Sequence, residues 1–445
     1  MIVMKFGGTS VGSASQIHKV SQIVFGHLSR HPLVVVSAFS GVTNHLLELI
    51  NLTTQKKKIS LAELIQRHKN VLRELKLPDT LLDEESEEVA ALFQGISLLQ
   101  ECSPKTKDRI LAFGERASCK IVASYLNTVL PKSTLAIFSY DLGLRTTAHF
   151  GQALPLKESD SIIQNSVSHH KDKLIVTTGF IAKDLEGNIT TLGRGGSDYS
   201  ASLMGAALHA EEIQIWTDVN GIMTADPRLV PHAHSIREMS FEEASELAYY
   251  GAKVIHPATM LPAISKNIPV RILNTNEPSY PGTIVYKEKQ KMEGTIKAIA
   301  HRSGLTIVNI TSTRMLDQHG FLAKIFEIFA RHRVSVDMVS TSEVSVSITV
   351  QEGQDLEPVL SELKVFSELS VEKGHAVVSV VGEGLREDPT IAAKVFTLLR
   401  EAHIPIRMIS LGASKINLSF IVDATQTSQA VTALHSVINV SGSSF

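Results

Sequence analysis

Met1-Ile2-Val3-Met4-Lys5-Phe6-Gly7-Gly8-Thr9-Ser10 begins the sequence and carries the strand-and-turn unit that the rest of the chain repeats. The first six residues predict a short buried strand and Gly7-Gly8-Thr9-Ser10 a turn. A helix follows, with Ile17, Val20, Val24 and Leu28 on one face. Ser13-Ala14-Ser15-Gln16 gives that helix a capping-box start. The theme recurs. Residues 33–37 form a second apolar strand ending in small residues, ahead of a helix that begins near Thr43. Residues 174–178, 213–217 and 270–273 predict further strands of the same kind. Short apolar strands alternating with longer helical stretches predict an α/β fold with a mostly parallel sheet. Ligands in such a sheet sit beyond the carboxyl ends of the strands, where these Gly/Ser/Thr turns fall.

Between about Gln55 and Ser103 the sequence turns charged and leucine-rich, which predicts a helical insertion. Its acidic cluster, Glu84, Glu85, Glu87 and Glu88, reads as a solvated face, with metal binding a distant second reading. Lys287-Glu288-Lys289-Gln290-Lys291 reads as a hydrophilic linker, and beyond it the chain repeats itself. Ala323-Lys324-Ile325-Phe326 is echoed by Ala393-Lys394-Val395-Phe396, and Val334-Ser335-Val336-Asp337-Met338 by Ile404-Pro405-Ile406-Arg407-Met408. Each copy reads strand, helix, strand, strand at a spacing of roughly 70 residues, which suits a small split βαβ module. The expected domains are 1–290, 304–374 and 375–445, the last completed by a strand at 295–301.

A length of 445 residues accommodates about three domains. The formal net charge of −2 provides no field to attract nucleic acid or an anionic membrane. No apolar run approaches the roughly 18 residues of a membrane span. Two cysteines, Cys102 and Cys119, make no disulfide framework, and no Cys/His pair has zinc-like spacing. A reduced, cytoplasmic protein is expected.

Three segments carry the chemistry. In Lys5-Phe6-Gly7-Gly8-Thr9-Ser10 the glycines let backbone N–H groups approach an anion, and Lys5 can place an ammonium against phosphate oxygens. Leu192-Gly193-Arg194-Gly195-Gly196-Ser197-Asp198 sets three glycines, a cation and a carboxylate at one helix start. Arg194 can hold a carboxylate bidentately, while Asp198 can orient a cation or bind Mg²⁺ directly or through water. No firm metal ligand can be named. Trp216-Thr217-Asp218-Val219-Asn220-Gly221 and the following Thr224-Ala225-Asp226-Pro227-Arg228 end a strand in polar turns suited to phosphate and ribose. Weaker signals are residues 37–44, Phe113-Gly114-Glu115-Arg116 and residues 251–257, where His256 reads more readily as packed than as catalytic. Walker A and G-x-G-x-x-G motifs are both absent, so a kinase of this sequence is neither a P-loop nor a protein-kinase type.

In order, KFGGTSV, SAFSGVTN, FGER, TTLGRGGSDYSA, WTDVNGIMTADPR, GAKVIHPAT and GFLAKIF with VSVDMVSTSEVSVS resemble the aspartate kinases over essentially the whole chain. The resemblance is to the monofunctional, lysine-sensitive type. It implies an amino-acid-kinase αβα sandwich followed by two ferredoxin-like ACT domains, with Mg-ATP as co-substrate. It puts Lys5, Gly7 and Gly8 on the ATP phosphates and makes Asp198 the organiser of the catalytic lysines. Ser37, Thr43, Glu115 and Arg194 would hold L-aspartate, and Thr217, Asp218, Arg228 and Lys253 the nucleotide. Met223 stands where many relatives carry an aromatic. ACT modules imply a homo-oligomer, dimeric at least. No dinucleotide motif follows the repeats, so a fused homoserine dehydrogenase is not expected.

The repeats are unequal: Asp337 in the first aligns with Arg407 in the second. An effector with a distal ammonium wants the carboxylate, which points to L-lysine as inhibitor in the first repeat. By resemblance its contacts are Met315, Phe321, Leu322, Val336, Asp337, Thr341, Ser342 and Glu343. Alternatives are a same-fold kinase of glutamate, acetylglutamate or a nucleotide, and a non-catalytic ACT amino-acid sensor.

Overall fold

The computed structural model describes residues 1–251, 256–287, 295–312, 315, 319–385, 387–411 and 416–438. Most of the expected linker lies outside them, as does Lys253. The chain divides into two compact units: Met1–Ile222, Arg237–Phe241 and Val254–Lys289 form the first, and the remaining segments the second.

Among the described residues the first unit has ten strands: β1 (Ile2–Phe6), β2 (Pro32–Val36), β3 (Thr134–Ala136), β4 (Leu174–Thr178), β5 (Ile181–Lys183), β6 (Ile189–Thr191), β7 (Ile213–Thr217), β8 (Glu238–Ser240), β9 (Val270–Asn274) and β10 (Thr283–Tyr286). Eight of them form one sheet in the order β3-β4-β2-β1-β7-β9-β10-β8; β5 and β6 form a separate hairpin. Pairing is parallel except between β9 and β10, so the sheet is mostly parallel, as the strand–helix alternation expects. β1 is central. It pairs with β2 on one side and β7 on the other, with Lys5 opposite Val35 and Ile215. From β1 the chain builds β2, β4 and β3 on one side before crossing to β7 on the other, and the crevice at such a reversal is where α/β sheets take ligands.

Helices cover the sheet: α1 (Gly8–Val11), α2 (Ala14–Gly26), α3 (Val42–Thr54), α4 (Ala62–Glu74), α5 (Asp83–Leu99), α6 (Pro104–Val129), α7 (Ser159–Ser168) and α8 (Gly196–Ala207). Residues expected as a turn after β1 are therefore already helical from Gly8, because the chain reverses by starting a short helix at once. Ser13 caps α2, its Oγ accepting from the Gln16 N–H. Leu28 falls in a separate 3₁₀ turn beyond α2. The insertion is helical (α4, α5), but its acidic cluster is not simply a solvated face. Glu85 is 1 % exposed and lies 2.5 Å from Lys120 and 3.3 Å from Arg116, both on α6, while Glu88 also binds Arg116. Helical spacing turns Glu84 outward and Glu85 inward, so neighbours in sequence have opposite environments.

The second unit holds α9 (Phe241–Tyr249) beyond its first residue and a six-stranded antiparallel sheet: β11 (Thr295–Thr311), β12 (Val336–Thr341), β13 (Ser345–Gln351), β14 (Glu368–Glu383), β15 (Met408–Ser410) and β16 (Asn417–Asp423), ordered β12-β13-β11-β14-β16-β15. Its repeat helices are α11 (Phe321–Arg331), α12 (Glu357–Leu363), α13 (Pro389–Glu401) and α14 (Thr427–His435). α11 buries Phe321, Ile325, Ile328 and Phe329 on one face. β11 and β14 each serve both repeats. Residues 305–311 of β11 pair with β13, whereas residues 296–303 pair with the part of β14 that also binds β16. Each copy also carries a second helix that the repeat alignment missed, α12 or α14.

Glu85 generates a stability prediction. Glu85→Ala leaves Lys120 with the exposed Glu84 at 3.3 Å and weakens the hold on Arg116, which keeps Glu88. We expect a loss of about 2–3 kcal/mol, less than for a buried pair stripped of every partner. Chemical denaturation measures it; a loss below about 1 kcal/mol contradicts the role assigned to this network.

Candidate active site

Where β1 ends, Lys5 projects an ammonium that is held by Asp198, Nζ to Oδ1 2.5 Å. Lys5 is 8 % exposed although it carries a full charge, so this pairing is a condition of its burial. Asp198 lies in the first turn of α8, and the chain reaches that turn through Gly193 and Gly195 at φ of +78° and +72°. Only glycine takes up that backbone without strain, which accounts for glycines that a favourable first-turn acid alone leaves unexplained.

The segment after β2 is stitched to its neighbours by backbone bonds. Ser37 N donates to Phe6 O at 3.1 Å, and Ser40 N to Gly8 O at 3.1 Å. A Cβ on Gly8 would stand 2.5 Å from Ala38 O and 2.9 Å from Ser40 N, so the close approach of these two turns requires glycine. Gly7 N donates to Trp216 O at 3.0 Å, which sets the glycine turn beside the end of β7. There Thr217 Oγ1 bonds Asp218 Oδ1 at 3.1 Å on the surface.

Glu115 comes from the middle of α6. It is 3 % exposed; Oε1 accepts from Ala38 N at 3.3 Å, while Oε2 has no partner. Burial pushes its pKa up to about 8. Arg116, the next residue, turns away to Glu85 and Glu88.

These side chains line one cleft of about 370 Å³. Lys5, Ser37, Thr43, Glu115, Arg194 and Asp198 all open onto it, with Phe39, Ser40, Gly41, Asn44, Phe180 and residues 195–197. A positive helix N-terminus, that of α8, contributes its first turn, and the N-terminus of α3 adds Gly41 and Thr43. The cleft therefore offers two cations, a buried carboxyl with an open oxygen, hydroxyls and helix N–H groups: a receptor for a zwitterion with an additional carboxylate, beside an anionic group-transfer site.

Other expected residues fall elsewhere. Arg228 belongs to the second unit, where its guanidinium grips Asp226, Nη2 to Oδ2 2.6 Å. His256 is not packed: it is exposed at the start of α10 (Pro257–Ser265), beside Gly195. Asp337 occupies a bulge in β12 and is neither free nor solvent-facing. Arg302 Nη2 lies 2.6 Å from Oδ1, and Tyr249 OH donates to the same oxygen at 3.3 Å. Phe321 is buried, while Leu322, Thr341, Ser342 and Glu343 are exposed and Val336 and Met315 half-buried. Sequence reading marked residues 37–44 without giving Asn44 a role, missed Phe180 in the cleft, and missed the polar run Asn274-Thr275-Asn276 at the end of β9. Thr275 Oγ1 bonds Ser10 Oγ at 2.7 Å and Asn274 Nδ2 bonds Asn220 Oδ1 at 2.6 Å. Polar residues directly after an apolar strand were the available signal.

The amino acid kinase family matches residues 1–274, and the ACT domain matches residues 308–363 and 378–438. The chain is 36% identical to the lysine-sensitive aspartokinase 3 of Escherichia coli K12, covering 98% of each. The crystal structure of E. coli aspartokinase III with aspartate and ADP (R-state) superposes with a TM-score of 0.79 at 34% identity, covering 98% of this chain and 99% of that one. The same enzyme with lysine and aspartate (T-state) gives 0.75 at 34% identity and the same coverage.

Proposed function

The chain belongs to the aspartokinases of the amino acid kinase family, and from that premise we propose that it phosphorylates the β-carboxylate of L-aspartate with ATP. The products are 4-phospho-L-aspartate and ADP, and the step opens lysine, threonine and methionine biosynthesis. The observation that carries the reading is the meeting of Lys5, Glu115 and Arg194 in one cleft.

The substrate carboxylate is a nucleophile at neutral pH, its pKa being about 4, so no general base is required. The obstacle is repulsion between two anions and charge building on the phosphoryl oxygens. Lys5 supplies a fixed cation that needs no reorganisation as the transition state forms, because Asp198 already orients it. Glu115 Oε2 takes the substrate ammonium, Arg194 a carboxylate, and Ser37 and Thr43 the remaining polar edge. Gly7 and Gly8 face the phosphates, while Thr217 and Asp218, at the end of β7, serve the nucleotide. Magnesium would ride on the ATP phosphates: among the described residues no three His, Cys, Asp or Glu side chains converge to hold an ion.

Lysine inhibition is read onto the first ACT repeat. There the effector ammonium would compete with Arg302 and Tyr249 for Asp337. Inhibition then shifts a conformational equilibrium, which requires lysine to bind the inactive state more tightly. The domains 304–374 and 375–445 are proposed as the two repeats, pairing across subunits; β12 and β15 are the sheet's edge strands.

ADP release with aspartate, measured against pH, tests the catalytic reading. Below about 8 the free enzyme holds a proton on Glu115 that must leave when the substrate ammonium arrives. The KM for aspartate should therefore fall as pH rises toward 8, by up to about tenfold per unit, and level off above it. Glu115→Gln should flatten that slope and raise the aspartate KM by roughly 10–100-fold, the worth of one charged hydrogen bond, with the ATP KM barely moved. A rise in the ATP KM alone contradicts the assignment. For the effector, Asp337→Ala should raise the lysine concentration for half-inhibition at least tenfold; unchanged lysine sensitivity refutes that site.

A further inference from the structure

We propose that Arg67, on the inserted helix α4, is a positioning residue for the aspartate subsite. It acts by pinning the Ser40–Gly41 peptide. The inference rests on the aspartate reading of the cleft and adds to it a residue that does not line the cleft.

Gly41 is where this peptide can turn. It lies at φ +83° as the N-cap of α3 and lines the cleft, with Thr43 two residues on. A peptide unit next to a left-handed glycine can rotate at little steric cost, since no Cβ opposes it. Rotation would exchange the directions of the Ser40 carbonyl and the Gly41 N–H, because the two point opposite ways across a trans peptide. At the edge of a site for anions, one orientation offers a donor and the other a repelling oxygen.

Arg67 selects between them. Its Nη1 donates to Ser40 O at 2.9 Å, and its guanidinium carbon stands 6.0 Å from the centre of the Phe39 ring. The neighbouring residue keeps α4 in place for this. His68 is 1 % exposed, stacks on Phe39 at 4.7 Å and 11°, and meets the edge of Phe113 at 5.3 Å. Its Nδ1 bonds Leu64 O at 2.8 Å, and burial lowers its pKa to about 4, so the ring packs as a neutral group. Phe113 is on α6, two residues before Glu115. One stack thus ties α4 to both the loop bearing Ser37 and the helix bearing Glu115, and Arg67 sets the peptide between them. An arginine that merely covered Phe39 would need only its stem and ring contact, not a hydrogen bond to that carbonyl.

Arg67→Met keeps the stem and removes the donor, while Arg67→Lys restores a donor and the charge. In steady-state ADP assays, Arg67→Met should raise the aspartate KM about five- to tenfold, the usual worth of one hydrogen bond, and leave the ATP KM unchanged. Arg67→Lys should recover at least half of that loss on a logarithmic scale, with melting temperatures of all three proteins within a few degrees. An unchanged aspartate KM in Arg67→Met overturns the proposal. So does a rise in both KM values with a lowered melting temperature, which a purely structural arginine would give. A wild-type protein that releases no ADP with aspartate defeats the functional reading itself, a result distinct from either.

Discussion

An ammonium at the end of a buried central strand needs a carboxylate, and the architecture of the first unit is arranged around that need. Lys5 sits between β2, buried throughout, and β7, buried up to its last residue, where an unpaired cation would cost several kcal/mol. Asp198 meets it at 2.5 Å. For the carboxylate to arrive there, α8 must start at that spot, and the chain must turn into it through two left-handed glycines. The same start directs a helix N-terminus at the cleft. Satisfying one buried charge therefore also assembles an anion-binding surface, with its dipoles fixed before any substrate binds.

The cleft holds a second buried ionisable group treated the opposite way. Burial holds the Glu115 proton to about pH 8, with one weak backbone bond to Ala38 and its other oxygen open. A satisfied carboxylate would gain little from a ligand ammonium; one with an open oxygen has a bond left to make. Arg116 shows the contrast within one helix turn. It is bound by two carboxylates of the insertion and anchors α6 rather than binding ligand. Lys5 and Arg116 thus have their partners in place, whereas Glu115 keeps one oxygen unpartnered.

Much of this was legible in the sequence, because strands that end in Gly/Ser/Thr turns announce both the sheet and its ligand edge. β4, β7 and the Ser13 cap follow directly from residue pattern. Lys5, Ser37, Thr43, Glu115, Arg194 and Asp198 lie far apart in the chain, and only the ordered set of motifs suggested that they act together. What the sequence hid is what depends on the third dimension. Glu85 looks like its exposed neighbour Glu84 until α6 is laid against α5. The antiparallel β10 carries no mark that separates it from a parallel strand. Asp337 reads as an open carboxylate because Arg302 and Tyr249, its partners, are remote in sequence. The role of Arg67 is invisible in one dimension, since nothing in a charged helix points to a carbonyl on another element.

The most direct test of the account is the turnover of Lys5→Met, which preserves the length of the side chain and removes the charge that Asp198 holds. With the variant folded by circular dichroism and both substrates saturating, kcat should fall by roughly 10²–10³, the loss typical of one transition-state electrostatic contact. A folded Lys5→Met protein that turns over aspartate and ATP at near wild-type rate would contradict the claim that this buried ammonium stabilises the transferring phosphoryl group.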